Sequence, residues 1–197
     1  ARLQVSLSNV HDNTAQTGGA FYLLCSKAAI VECTFDSNTA SSNGGAISIG
    51  TVSAVLYSEF VVANSTFDHN VATHFGGALH VWSSTATPDY YLYSPSSLAD
   101  LLGQQLDDDD GDSDAERARR AVPTLPSFYN FAGVSFQSNR ASKGGAYYFA
   151  STSDLDSVND FDGILTLGEG VLFVNNSATA YGGAIYQQTF QPVVRLA

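Results

Sequence analysis

The densest chemistry in this sequence is acidic, with Asp107-Asp108-Asp109-Asp110-Gly111-Asp112 in one stretch and Asp154, Asp156, Asp160 and Asp162 in another. Clustered carboxylates suit calcium, and in the helix-loop-helix calcium site a Gly at position six fixes where the other ligands fall. Neither stretch fits. Gly111 puts Leu106 at position one and Arg117 at position twelve, and Gly163 puts Val158 at position one. The four acids between Asp154 and Asp162 are left with two readings, an irregular calcium site or, more plainly, a solvated loop. His69, His74 and His80 match no zinc-ligand spacing and read as ordinary surface histidines. The expectation is therefore no bound metal and no cofactor.

Hydrolysis of a polysaccharide wants two carboxylates facing each other across a groove, and elimination wants an Arg or Lys base near acid-held calcium. The candidates are few: Asp36 and Asp68 beside His69, and Arg140 with Lys143. Ser37 and Gln137 mark these places as generic polar turn positions, so no catalytic residue is assigned. A polysaccharide lyase or glycoside hydrolase stands as the alternative to a non-enzymatic role.

Three further groups of residues suggest covalent processing. Arg117, Arg119 and Arg120 spell Arg-x-Arg-Arg, similar to sites cut by secretory convertases, although they also neutralise the neighbouring acids. Asn64-Ser65-Thr66 and Asn175-Asn176-Ser177 are N-glycosylation sequons, meaningful in a secreted eukaryotic chain. Cys25 and Cys33 stand eight apart across an expected turn at Ser26 to Ala28, near enough to pair if the flanking strands stack in an oxidising compartment.

The bulk composition narrows the class of partner. A net charge of -11 with only eight Lys and Arg disfavours nucleic acid and anionic membranes, both of which reward cations. The surplus is local: seven of the 19 acids lie between Asp107 and Glu116, so the rest of the chain is only mildly acidic. No stretch has the roughly 20 apolar residues of a membrane helix, and direct membrane insertion is not expected. With no Met, and a first residue that already runs into a repeat, the sequence reads as a piece of a longer protein.

That repeat is what must position every side chain named so far. Five segments align on a Gly-Gly-Ala triplet, Gly18 to Ala20, Gly44 to Ala46, Gly76 to Ala78, Gly144 to Ala146 and Gly182 to Ala184. Ahead of the triplets stand Asn13, Asn38, Asn70, Asn139 and Asn176, each with a large apolar residue three before it: Val10, Phe35, Phe67, Phe136 and Phe173. Asn-to-Gly spacing is five in the first and fourth copies and six in the others, a difference expected to fall in a turn. After each triplet comes a run of period two, such as Ile47-Ser48-Ile49 or Leu79-His80-Val81, which is the period of a strand. Paired glycines before β-branched and aromatic residues disfavour helical hairpins, and the first two repeats are too short for propeller blades.

These observations predict an all-β chain, a parallel β-helix of at least five rungs with one long loop insertion. Rungs one to three span 1–82, an inserted acidic loop, disordered in part, spans 83–127, and rungs four and five of the same solenoid span 128–197. Stacked at strand spacing, the apolar slot would fill the interior, and the asparagines would bond amide to amide at a bend. If Ile47, Leu79, Tyr147 and Ile185 point inward, then Tyr22, Ser48, His80, Tyr148 and Tyr186 point outward. Such a face either binds a protein or glycan, using apolar rings with polar tips, or packs upon itself.

Phe-x-x-Asn followed by Gly-Gly-Ala and an aliphatic residue, as in Phe35 to Asn38 with Gly44 to Ile47, resembles the repeat of chlamydial polymorphic outer-membrane proteins. The resemblance covers the five rungs. It implies a right-handed, single-stranded, pectin-lyase-like β-helix in a surface-exposed passenger region, with adhesion as the usual role. Similar repeats occur in large extracellular proteins of algae and other microbes, so the expected location is extracellular or cell-surface, and the outer membrane in a bacterium. The sequence departs from the pattern at Val10, at Phe21 and Tyr147, and in its insertion, and it contains no membrane-barrel segment.

Overall fold

The computed structural model describes residues 2–24, 26–51, 59–83, 127–151, 163–188 and 193–196. Every regular element among them is a strand, and every pairing between strands is parallel. The strands gather into four sheets, each taking one strand from every turn of the chain. Sheet one holds β1 (Arg2–Ser6), β5 (Lys27–Val31), β9 (Glu59–Ala63), β13 (Ser127–Ala132), β17 (Gly163–Leu167) and β21 (Val193–Leu196). Sheet two holds β2 (Asn9–His11), β6 (Thr34–Asp36), β10 (Thr66–Asp68), β14 (Ser135–Gln137) and β18 (Leu172–Val174). Sheet three holds β3 (Thr14–Thr17), β7 (Thr39–Asn43), β11 (Val71–Ala72), β15 (Arg140–Lys143) and β19 (Ser177–Tyr181). Sheet four holds β4 (Phe21–Leu24), β8 (Ile47–Thr51), β12 (Leu79–Ser83), β16 (Tyr147–Ser151) and β20 (Ile185–Gln188). Five rungs of four strands therefore stack as a parallel β-helix, and β21 pairs with β17 as the first strand of a sixth.

The interior is a set of side-chain ladders. In sheet two the rings of Phe35 and Phe67 stack at 4.9 Å and 7°, Phe67 and Phe136 at 5.2 Å and 13°, and Phe136 and Phe173 at 4.9 Å and 5°. Sheet one contributes Ile30, Val62 and Phe131 in register, and sheet four contributes Ile47, Leu79 and Tyr147. All are almost fully buried. Each such side chain contributes about 1.5–3 kcal/mol by leaving water, and the sum over ladders is what closes the tube.

The chain turns sharply at three corners per rung, and each corner needs one left-handed residue. Between sheets one and two these are Leu7, Glu32, Asn64, Gly133 and Gly170; between sheets two and three, Asp12, Ser37, His69, Ser138 and Asn175. Between sheets three and four they are the first glycines of the triplets, Gly18, Gly44, Gly76, Gly144 and Gly182, with φ of 62° to 66°. The second glycine serves another purpose. A Cβ on Gly45 would overlap the carbonyl oxygen of Gly77, and one on Gly77 would overlap that of Gly145. Close rung-to-rung approach, rather than φ, excludes side chains there.

Three sequence expectations are corrected. The expected turn at Ser26 to Ala28 is the start of a strand, since β5 begins at Lys27 and Ala28 is buried in the core. The one-residue difference in Asn-to-Gly spacing does not fall in a turn. It is taken up inside sheet three, where the register shifts between Ala15 and Thr17 and between Ala141 and Lys143. A bulge holds the extra residue and leaves the flanking ladders aligned. Finally, β12 runs through Ser83 and β13 begins at Ser127, so both ends of the expected insertion belong to sheets.

Candidate functional site

The asparagine ladder lies just past the corner between sheets two and three. Asn38 Nδ2 donates to Asn70 Oδ1 at 3.0 Å and to Val10 O at 2.9 Å, and Asn70 Nδ2 donates to Asn139 Oδ1 at 3.0 Å and to Phe35 O at 2.9 Å. The backbone N–H groups of Asn38, Asn70 and Asn139 donate to the Oδ1 of the next asparagine, ending at Asn176. Asn13, at the other end, is exposed and donates to Asn38 Oδ1 at 2.9 Å. Both ends of each buried amide are used, so these residues hold the turn and have nothing left to offer a ligand.

The outward residues of sheet four are in register as Tyr22, Ser48, His80, Tyr148 and Tyr186. They do not form the open face that alternation suggests. Tyr22 is 50% exposed, whereas Ser48, His80 and Tyr148 are buried at 0%, 6% and 4%. Their cover comes from the last residues of sheet three, the ladder Thr17, Asn43, Phe75, Lys143 and Tyr181 immediately before the glycine pairs. Across the glycine corner the two ladders meet. Phe75 stacks on Tyr148 at 4.5 Å and 13° and lies 6.1 Å from His80. His80 stacks on Tyr148, Tyr148 on Tyr186, and Tyr186 on Tyr181, with centroids 5.5, 5.5 and 5.7 Å apart.

Lys143 sits in the middle of this cluster. Its Nζ lies 5.5 Å from the ring centroid of Phe75, 5.4 Å from Tyr181 and 5.5 Å from Tyr186, so three ring faces share one ammonium. Tyr181 is the most open ring, at 58% exposure. Tyr148 Oη donates to Gln188 Oε1 at 3.2 Å, and Ser48 Oγ is 3.0 Å from His80 Nδ1. Burial lowers the His80 pKa from 6.5 to about 4, and burial with the nearby Tyr186 raises that of Tyr148. The site is thus a neutral imidazole and stacked phenols around a single cation. Sequence alternation identified one wall and missed Phe75, Lys143 and Tyr181, whose signal was their common position just before each glycine pair.

Asp36, Asp68 and His69 also come together, with one ligand atom from each all within 4.8 Å of one another. His69 Nδ1 lies 2.8 Å from Asp68 Oδ1, and Ser37 Oγ donates to Asp36 Oδ1 at 3.2 Å. The two carboxylates are neighbours in one ladder of sheet two, side by side rather than opposed across a groove. Arg140 and Lys143 stand on sheet three. Asn64 and Asn175 are exposed left-handed corner residues. Cys33 is buried in the core with Sγ 3.2 Å from Val31 O, and its suggested disulfide partner Cys25 lies outside the described residues. Arg117, Arg119 and Arg120, the acid run from Asp107 and the group Asp154, Asp156, Asp160 and Asp162 also lie outside them.

Comparison with known proteins gives one positive finding. The family model of the Chlamydia polymorphic membrane protein repeat matches residues 32–50 and 170–188. The first match runs from the corner at Glu32 through Phe35, Asn38 and the glycine pair into β8, and the second covers the same stretch of rung five. No curated protein and no solved structure matches the chain. Among the described residues, no helix is long and apolar enough to cross a membrane.

Proposed function

We propose, for a chain that carries the Chlamydia polymorphic membrane protein repeat, a non-enzymatic role: a cell-surface or extracellular β-helix segment that engages a partner through the aromatic corner between sheets three and four. The name of the matched repeat family supports a place at the outer membrane or cell surface. Adhesion fits that setting. The observation that carries the reading is the convergence of two outward ladders on Lys143, with Tyr181 open to solvent beside it. Aromatic side chains left partly exposed offer large, rigid contact area at low entropy cost, which is why they anchor partners.

Purified chain should bind cells or immobilised glycans, and the pair Tyr181→Ala and Tyr186→Ala should weaken that binding at least tenfold, while circular dichroism keeps the β spectrum. Unchanged binding in the double variant would remove the proposed face. The competing reading is a polysaccharide lyase or glycoside hydrolase, favoured by the convergence of Asp36, Asp68 and His69. Its signature would be release of reducing or unsaturated ends from a pectic or algal polysaccharide, abolished by Asp68→Asn.

A further inference from the structure

Charge in this protein is sorted by face. Of the 19 acidic residues, none lies in 13–24, 38–51, 70–83, 139–151 or 176–188, the segments that form sheets three and four and the glycine corner between them. The same segments carry Arg140 and Lys143. Among the described residues the acids are Asp12, Glu32, Asp36, Glu59, Asp68 and Glu169, all on sheets one and two or their corners. Among the described residues, two adjoining faces of an acidic molecule therefore carry no acidic side chain.

The cations on those faces have no carboxylate partner among the described residues. The ion pairs His11 with Asp12, Lys27 with Glu59 and His69 with Asp68 lie instead on sheets one and two and their corners. Lys143 is half-buried and Arg140 exposed on the same strand, three positions apart. An ammonium held over three rings is partly stripped of water. Such a cation gains most from an anion that arrives with it unpaired.

Resting on the reading of this corner as the binding face, we infer that its ligand is a carboxylate-bearing glycan, a chain of uronic-acid type. The sugar carboxylate pairs with the Lys143 ammonium and the Arg140 guanidinium, and the apolar face of the sugar ring lies against Tyr181 and Tyr186. An acidic peptide fits less well. Peptides are commonly taken up by adding a strand to a free sheet edge, whereas Arg140 and Lys143 lie on β15, which is paired to the rungs on either side, and of the strands that carry this cluster only β19 and β20 present an edge. With no described acid on these two faces, a polyanion running along the corner meets no described acidic side chain there, although the whole molecule carries a net charge of -11.

The test is titration of the full chain with polygalacturonate, with neutral galactan and with poly-glutamate as contrasts, on proteins checked by thermal melting. Polygalacturonate should bind, and binding should weaken as salt shortens the Debye length below about 10 Å. Lys143→Gln should reduce affinity roughly tenfold or more, Lys143→Arg should restore most of it, and Arg140→Gln should act in the same direction. Galactan bound as tightly, with Lys143→Gln silent and Tyr181→Ala with Tyr186→Ala still harmful, would overturn the anionic ligand and leave the face. Poly-glutamate bound as tightly as polygalacturonate would overturn the sugar in favour of an acidic protein. Binding that survives both the lysine and the tyrosine variants would overturn the ligand and the face together, and no binding to polygalacturonate would overturn the inference outright.

Discussion

An imidazole enclosed by Ser48, Phe75 and Tyr148 is at home only while neutral, which is why burial lowers the His80 pKa to about 4. The unfolded chain, with a His pKa near 6.5, binds the proton more readily over the interval between the two values. Stability from this group is thus complete above about pH 6.5 and falls as pH drops toward 4, by roughly 3 kcal/mol at the most. His80→Tyr, which continues the ring ladder of Tyr148 and Tyr186, should remove that component. Urea unfolding followed from about pH 7 to about pH 4 should show a steeper loss for the parent chain than for the variant. Parallel pH profiles would mean that His80 already opens to water in the folded state. The same logic separates the asparagines: Asn70 serves two neighbouring rungs from a fully buried position, whereas Asn13 is exposed at the end of the ladder.

At the scale of the element, the glycine pair joins two unlike requirements. Its first member needs positive φ, and its second must let the next rung's carbonyl approach, so the two respond differently to substitution. Gly77→Ala forces a methyl into the Gly145 carbonyl and should cost about 3 kcal/mol or more, because backbone cannot move aside cheaply. At Gly183 the nearest atom to an added Cβ is Asn176 O at 3.4 Å, an ordinary contact, so Gly183→Ala should lie within about 1 kcal/mol of the parent. Equal costs at the two sites, read from denaturation midpoints, would refute inter-rung crowding as the reason for the second glycine. This corner was legible in the sequence because its chemistry admits few residue types. The corner between sheets one and two was not, because Leu7, Glu32, Asn64, Gly133 and Gly170 share a backbone conformation and no side-chain property. Sheet one went unread for a related reason: its strands carry no motif beyond ordinary apolar residues. The register of Tyr22, Ser48, His80, Tyr148 and Tyr186 was readable from period two. The burial of His80 and Tyr148 was not, since Phe75 reaches them from across the turn.

Across the whole molecule, three corners hold nearly the same residue count in every rung, the exceptions being the sheet-three bulge and one extra residue between sheets one and two in the stretch Gly168 to Val171, and nearly all length variation falls at the fourth. Residues 25–26 join β4 to β5, 52–58 join β8 to β9, 84–126 join β12 to β13, 152–162 join β16 to β17 and 189–192 join β20 to β21. A connection that ranges so widely while its flanking strands keep parallel register is not what sets the rungs. The core ladders and the asparagine and glycine corners suffice for that, and the fourth corner only has to be closed. Closing a loop costs entropy that grows slowly, about 0.6 kcal/mol per doubling of length. Replacing 84–126 with a copy of 52–58 should therefore leave the fold intact and raise stability by about 1–2 kcal/mol. Circular dichroism and a urea midpoint at least as high as the parent's would bear this out. A lower midpoint would mean that 84–126 packs on the solenoid and contributes more than its closure costs. The shortened chain also lacks the acid run from Asp107, so polygalacturonate should bind it at least as tightly as the parent, through sheets that the deletion does not touch.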